Sequence, residues 1–313
     1  MSSYLSNKDG IVRFAIKEPE EIVFKLEPES FLVNVNNCEF IRIMYQHTRE
    51  IHVQTVTDYS FKPSHHIDYL KEIFADLGLE KGYALDIGAH DGRNHSNTLH
   101  LFTNGWKGLA IEGDNYLFAR MAMAYQVLPQ VDIVKRWITP KNIVPLLQAY
   151  DVPKEFDFLS LDIDSYDYFV LDCVLEHYHP TFIMCEINEV IPPPIRFSMR
   201  PEGQLDLNTR FYGQSLAALN DLAEKHGYVI IRTHYMDAFL IDKKFVLGES
   251  PSLQSLFQEG LLDQEIPHYY SAYPFDVRKL WQATPEEGIE MIRKGYEIYK
   301  GEFELSLEAF DKD

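Results

Sequence analysis

The stretch ALDIGAHDGRNHSNT, residues 84–98, decides how the rest of the chain reads. An apolar run ends in Asp86, then Gly88 and Gly92 follow four residues apart with Asp91 between them. A buried strand that stops in such a turn implies backbone brought close to something. Glycine permits this because it tolerates left-handed φ and has no Cβ to clash.

The pattern around this stretch predicts the architecture. From about residue 82, apolar runs alternate with helical segments: YALDIG, KGLAIEG, VDIVKR, FDFLSLDID, TFIMCEIN, YVIIRT and AFLID are the candidate strands. Such alternation predicts an α/β fold, a doubly wound and mostly parallel sheet of seven strands with helices on both faces. YVIIRT and AFLID lie too close together for a crossover helix, so they pair as a hairpin and give one antiparallel strand at a sheet edge. Before residue 63, the runs IVRFAI, EIVFKL, FLVNV, FIRIMY and IHVQTV predict a β-rich N-terminal element. HIDYLKEIFADLGL has helical spacing and leads into the sheet. Residues 249–313 read as a helical C-terminal extension, a lid or an oligomer contact. The predicted divisions are therefore 1–62, 63–248 and 249–313.

Bulk composition narrows the function classes. The 313 residues carry a formal net charge of −19, with no block of lysine and arginine. That excludes a broad basic face for nucleic acid or anionic membrane and favours a neutral or cationic small-molecule substrate. The N-terminus shows no signal-peptide pattern, and no apolar run reaches the roughly 20 residues that span a bilayer. Cys38, Cys173 and Cys185 are scattered and odd in number, reading as reduced thiols of a cytoplasmic protein rather than a disulfide or zinc scaffold.

In a doubly wound sheet, ligands bind at the carboxyl ends of the strands, and the first strand–turn–helix is the usual nucleotide site. A pyrophosphate is anionic, and Asp86 and Asp91 would repel it. The same acids suit the ammonium and sulfonium charges of S-adenosylmethionine. Glu112, ending the second strand in IEGD, stands where a carboxylate accepts hydrogen bonds from both ribose hydroxyls. Dinucleotide folds place an acid there too, so the combination, and not Glu112 alone, selects the cofactor.

DIGAHDGRNHSNTLHLFTNGWKGLAIEGD, residues 86–114, resembles the opening of the class I S-adenosylmethionine-dependent methyltransferases, specifically the FkbM-like family. The shared features are the D-x-G-x-x-D-G turn, Ser-Asn-Thr at 96–98, and the Gly-Trp-x-Gly-x-x-x-Glu strand. WITPKNI, FDFLSLDIDSYDYFVLDCV, CEIN and FYGQSLAALNDLAEKHGYVII continue the resemblance across residues 80–245. The family carries glycine where Ser165 stands. Residues 1–65 and 250–313 match no pattern of that family. The resemblance implies a Rossmann-like methyltransferase sheet, S-adenosylmethionine as cofactor, and methyl transfer to a small molecule, with oxygen the favoured acceptor.

The candidate cofactor-binding residues are Asp86, Gly88, His90, Asp91, Gly92, Asn97, Glu112, Gly113 and Asp114. Ser96 and Asn97 also suit helix capping, Asp114 a turn, and Thr139 either the lining of the adenine or a cap for a helix starting at Pro140. Trp106 reads as core. Asp162 and Asp164, two apart at a strand end, point the same way. Glu186 and Asn188 end the next strand in the same alternation. Oxygen donors converging there suit a hard divalent cation such as Mg2+, with Asp162, Glu186 and Asn188 as ligands; the competing reading is substrate or methionine-amine binding without metal. Asp162, Asp164 and His90 are the candidates for the group that removes the acceptor's proton. Tyr166, Tyr168 and Tyr212 are candidate pocket walls or core, and Arg196 and Arg200 candidate substrate contacts or solvated charges. The alternative function is a catalytically inactive binding or scaffold protein on the same fold, with the terminal segments as interaction surfaces and oligomer contacts. An NAD-dependent oxidoreductase comes third, disfavoured by the acids of the turn.

Overall fold

A computed structural model describes residues 64–310 apart from 204, 247 and 265–267, together with the strands Glu21–Leu26, Glu29–Asn34, Phe40–Tyr45 and Ile51–Val56. The chain divides into two compact units, residues 1–61 and 62–313. In the first, those four strands form two antiparallel hairpins, Glu21–Leu26 with Glu29–Asn34 and Phe40–Tyr45 with Ile51–Val56. The expected strand IVRFAI and Cys38 lie outside the described residues.

The second unit is built on a seven-stranded, mostly parallel Rossmann-like sheet. Its strands are β1 Tyr83–Ile87, β2 Lys107–Glu112, β3 Val131–Lys135, β4 Glu155–Leu161, β5 His179–Glu186, β6 Tyr228–His234 and β7 Asp237–Asp242. The spatial order is β3-β2-β1-β4-β5-β7-β6. The β6–β7 hairpin closes one edge as expected, and the antiparallel member, β7, lies inside it, paired to β5. Order reverses between β1 and β4, which pair in parallel, and this switch point opens a crevice at their carboxyl ends.

Helices cover both faces. α1 (Ile67–Asp76), α2 (Leu99–Thr103) and α3 (Asn115–Tyr125) bury Leu70, Phe74, Phe102 and Met121 against Ala84, Ala110, Phe182 and Met184. α4 (Ile143–Ala149), α5 (Asp167–Leu175) and α6 (Leu216–His226) pack on Leu85, Ile87, Leu109, Ile183 and Cys185. The period-two alternation is visible along β5, where Phe182 and Met184 face one layer and Ile183 and Cys185 the other. Continued by one residue, it puts Glu186 on the α1–α3 face. The same parity puts Asp86 of β1 there.

The C-terminal segment is part of this unit. Val277, Leu280, Ile289, Ile292 and Tyr296 join the core under α4–α6, and the Trp281 indole donates to the Val190 carbonyl at 2.9 Å. Two local expectations are corrected. GEFELSLEAF is not helical: Phe303–Ser306 is a strand paired antiparallel to Arg196–Met199, which had read as loop. Phe-Glu-Leu-Ser alternates with period two, and Gly301, at φ 90°, ends the preceding turn. Thr139 caps nothing, since the helix starts later, at Ile143, and Thr139 N–H donates to Asn142 Oδ1 at 2.8 Å.

Gly88 is where sheet and site meet. Its φ is +88°, and an added Cβ would lie 1.6 Å from the Asp162 carbonyl oxygen at the end of β4. Glycine is required by the neighbouring strand as well as by the turn. Gly88→Ala is therefore expected to lower unfolding free energy by about 3 kcal/mol or more. Gly78→Ala, at φ +68° with nothing within 4 Å, costs about 1 kcal/mol from backbone strain alone. Urea denaturation of both variants checks the difference.

Candidate functional site

A cavity of about 490 Å3 opens at the switch point, lined by the ends of β1, β2 and β4, the turn after β1, and Met199, Gly203 and Leu205. At its floor, Gly88 and Ala89 N–H both donate to the Ile111 carbonyl at 3.0 Å, fastening the β1 turn to β2.

Glu112 organises one end. Its Oε2 accepts from His90 N–H at 2.9 Å and its Oε1 from Asp114 N–H at 2.7 Å. Each oxygen keeps a second lone pair, so the carboxylate is fixed in place and still able to accept. Asp114 lines the cavity and also caps α3, taking Tyr116 and Leu117 N–H at 2.7 and 2.9 Å. Gly113 lies beneath Trp137: an added Cβ would be 2.4 Å from the indole. Trp137 is 69% exposed at the cavity mouth, and with Leu117 and Ile138 it makes a flat apolar slot beside Glu112. Sequence reasoning missed Trp137. The available signal was a tryptophan just past the end of β3, the position adjacent to the acid of β2.

Asp86 is buried and accepts from Thr98 Oγ1 at 2.5 Å. Burial, countered by the Thr98 bond and reinforced by the Glu112 charge, pushes its carboxyl up to about 6. Ser96 and Asn97 both line the cavity, and Ser96 Oγ also accepts from Leu99 N–H at 3.0 Å at the start of α2. Asp91 and Gly92 do not line the cavity. Asp91 accepts from Arg93 and Asn94 N–H at 3.0 and 2.8 Å and pairs with Arg120 at 3.0 Å, so it shapes the turn from behind. Although burial opposes it most, bonds from His90 and Asn94 hold its carboxyl far below the usual range. Gly92, at φ +71°, packs on Met121 and Tyr125.

The helix after the turn begins at Leu99, next to the Ser96-Asn97-Thr98 run expected at its start, and has five residues. Residues 91–98 intervene as loop, so no helix N-terminus is presented to a phosphate at the turn. With Asp91 turned away and paired, the repulsion of an anionic group falls to Asp86, Glu112, Asp162 and Asp164.

The other end is acidic. One carboxylate oxygen each of Asp162, Asp164 and Glu186 lies within 4.8 Å of the others. Asp162 and Asp164 are open to solvent through the cavity, while Glu186 is buried and its Oε2 has no hydrogen-bond partner. Enclosure by protein, then the charges of Asp164, Asp237 and Asp167, raise the Asp162 carboxyl well above its ordinary range. Burial, then Asp162 and Asp164, do the same for Glu186. Asp167 closes the loop from below, accepting from Ile163 and Ser165 N–H at 2.9 and 3.0 Å. The left-handed residue of this loop is Asp164, at φ 57°, and not Ser165, which is why serine is tolerated where glycine was expected. His90 and His95 are also left-handed, at 51° and 57°, so three strained non-glycine residues line one cavity.

Asn188 is not with the acids. Its Nδ2 donates to the Tyr212 carbonyl at 3.1 Å and its Oδ1 accepts from Tyr273. The strand ends at Glu186, so the alternation that placed Asn188 beside it no longer applies. His90 lines the cavity, and its hydrogen bond to Asp91 raises its pKa, favouring the cation over a free base. Tyr166 lines the cavity and donates to the Ile138 carbonyl at 3.0 Å. Tyr168 packs on the core and against Phe310, and Tyr212 is buried, donating to Glu189 at 2.6 Å. Arg196 makes a two-bond pair with Asp221 at 2.5 and 2.9 Å, and Arg200 bonds Glu304 at 2.7 Å, so both hold structure. Among the described residues no helix is long and apolar enough to cross a membrane.

No protein-family model and no curated protein matches the chain. Solved structures similar to it include magnesium protoporphyrin IX methyltransferase (ChlM) from Synechocystis PCC 6803 with bound SAM, at 15% identity and TM-score 0.37, covering 55% of this chain and 74% of that one. The N-terminal domain of EvdMO1 in the presence of SAH and D-fucose aligns at 12% identity and TM-score 0.37, covering 56% and 81%. A SAM-dependent methyltransferase from Aquifex aeolicus aligns at 15% and 0.35, covering 55% and 89%.

The acid cluster carries a stability cost with a definite sign. A carboxyl whose folded pKa lies above its unfolded value stabilises the fold fully below the unfolded value, and that contribution is lost as pH rises through the folded one. Glu186→Gln is therefore expected to raise stability at pH 7.5 by about 1–2 kcal/mol and to give little at pH 4. Thermal melts across that range check this.

Proposed function

We propose that the chain is an S-adenosylmethionine-dependent methyltransferase acting on a small molecule, at oxygen. The observation that carries this reading is the cavity's two-ended chemistry: a fixed ribose-type acceptor beside an apolar slot, and a carboxylate cluster across the switch point. Glu112 takes the ribose hydroxyls and Trp137, Leu117 and Ile138 the adenine. Asp86 faces the ammonium, and Asn97 supplies amide donors to the carboxylate of the methionine moiety. The sulfonium then points toward Asp162 and Asp164, whose negative field suits a cation.

The transfer asks for alignment and removal of one proton. As the acceptor oxygen attacks the methyl carbon, the carbon–sulfur bond breaks and its electron pair stays on sulfur, leaving S-adenosylhomocysteine. The hydroxyl proton passes to Asp162, a stronger base than an isolated aspartate because its enclosing protein and the carboxylates around it disfavour the charged form. His90, drawn toward its protonated state, balances the acids.

The donor set fits a hard cation: Asp162, Asp164 and Glu186 offer oxygen only, and Glu186 Oε2 is buried without a partner. These three, not Asn188, would hold Mg2+. When bound, such an ion lowers the pKa of an acceptor hydroxyl.

Calorimetry with S-adenosylhomocysteine tests the reading. Micromolar binding is expected, about 100-fold weaker in Glu112→Ala, which loses two charge-assisted bonds, and about tenfold weaker in Trp137→Ala. NAD should not bind. Mg2+ binding to the S-adenosylhomocysteine complex should vanish in Glu186→Gln. Absence of S-adenosylhomocysteine binding would overturn the cofactor assignment and return the scaffold alternative.

A further inference from the structure

Three consecutive residues ahead of α1 reach from the cavity lining to a residue beside the acid cluster. Ser64, buried, donates its hydroxyl to Asn97 Oδ1 at 2.5 Å and accepts His66 N–H at 3.1 Å. The His65 ring lies 5.7 Å from that of His95, another cavity residue. His66 stands at the N-cap of α1 but makes no capping bond; its Nε2 is 2.7 Å from Asp237 Oδ2. Its ring is wedged edge-on against His234 and Phe239, each 5.2 Å away.

Asp237 matters because of its register. It is the first residue of β7 and sits directly opposite Glu186 of β5. Its charge acts on both Glu186 and Asp162. Ser64 matters because of what it leaves over. By donating to Oδ1 it fixes which end of the Asn97 amide is occupied, so Nδ2 is the end available to a ligand. The segment thus joins a residue of the cofactor end to a residue beside the acid cluster, over a span of two peptide bonds.

We propose that Ser64 and His66 are positioning residues of this site, forming a clasp through which cofactor binding at Asn97 orders Asp237 and the acid cluster. The proposal rests on the reading of the cavity as an S-adenosylmethionine site. Two sites so joined share a coupling free energy, and cutting the joint removes the coupling while each part still folds. His66→Phe keeps the wedged ring and deletes the bond to Asp237. His66→Gln keeps a side-chain N–H for the same acceptor.

The test is hydrogen exchange with and without S-adenosylhomocysteine, alongside its affinity. In the unmodified protein the ligand is expected to slow exchange at least tenfold in residues 93–99 and also in 236–241. In His66→Phe, protection of 93–99 should persist and that of 236–241 disappear, with His66→Gln restoring it. Ser64→Ala should weaken S-adenosylhomocysteine about tenfold, and Ser64→Thr should restore it. Protection of 236–241 that survives in His66→Phe, or is absent from the unmodified protein with ligand bound, overturns the clasp. Failure of the unmodified protein to bind S-adenosylhomocysteine overturns the cofactor assignment first and the clasp with it.

Discussion

Carboxylates crowded onto one end of a sheet are the constraint to which the rest of this structure answers. Asp86, Asp162 and Glu186 leave adjacent strands on the same side, and Asp164, Asp167 and Asp237 add their charges from the flanking loop and strand. Like charges at such separations disfavour ionisation, and burial compounds the effect. A fold evolved for stability alone would place apolar groups there. Retaining the acids makes chemical sense when something positive sits among them for part of the working cycle.

Topology explains why these groups meet. Parallel strands all end at the same edge of the sheet, and the reversal of order between β1 and β4 leaves a gap no crossover helix covers. The gap is narrow at its base, where the Asp162 carbonyl presses on Gly88 and Asp162 N–H donates to the Ile87 carbonyl at 3.0 Å. Backbone from β1 and β4 therefore fixes the distance between the Glu112 end and the acidic end. Gly88 reads in the sequence as room for a ligand; in the structure it is first of all room for a neighbouring strand.

Much of this was legible in the sequence, because period and spacing carry it. The seven strands and the closing hairpin follow from apolar runs and linker lengths. The convergence of Asp162, Asp164 and Glu186 follows from alternation at strand ends. What was not legible depends on where a regular period stops. Asn188 shares parity with Glu186, but β5 ends between them and the chain turns, sending the amide to Tyr212. Asp91 carries the same charge as Asp86 and lies in the same motif, yet Arg120, 29 positions on, draws it out of the cavity. Trp137 and residues 64–66 reach the site through tertiary packing, which one sequence does not encode as a pattern.

Part of the cavity wall comes from residues beyond the seven-stranded sheet. Met199 and Leu205 line the cavity, and the strand that ends at Met199, Arg196–Met199, is paired to Phe303–Ser306. Beyond it, Tyr299 stacks on Phe211 at 4.1 Å and donates to Asp206, while Tyr296 donates to the Arg210 carbonyl at 2.6 Å. Asp206 and Arg210 are thus held by C-terminal aromatic residues. The Glu112 end uses residues of the turn and of β2, whose spacing is constrained by the sheet. The Met199 side uses a loop and a separate two-stranded ribbon. The shape of the cavity beside Met199 and Leu205 therefore depends on the C-terminal segment, which supports that side through the ribbon and the aromatic contacts.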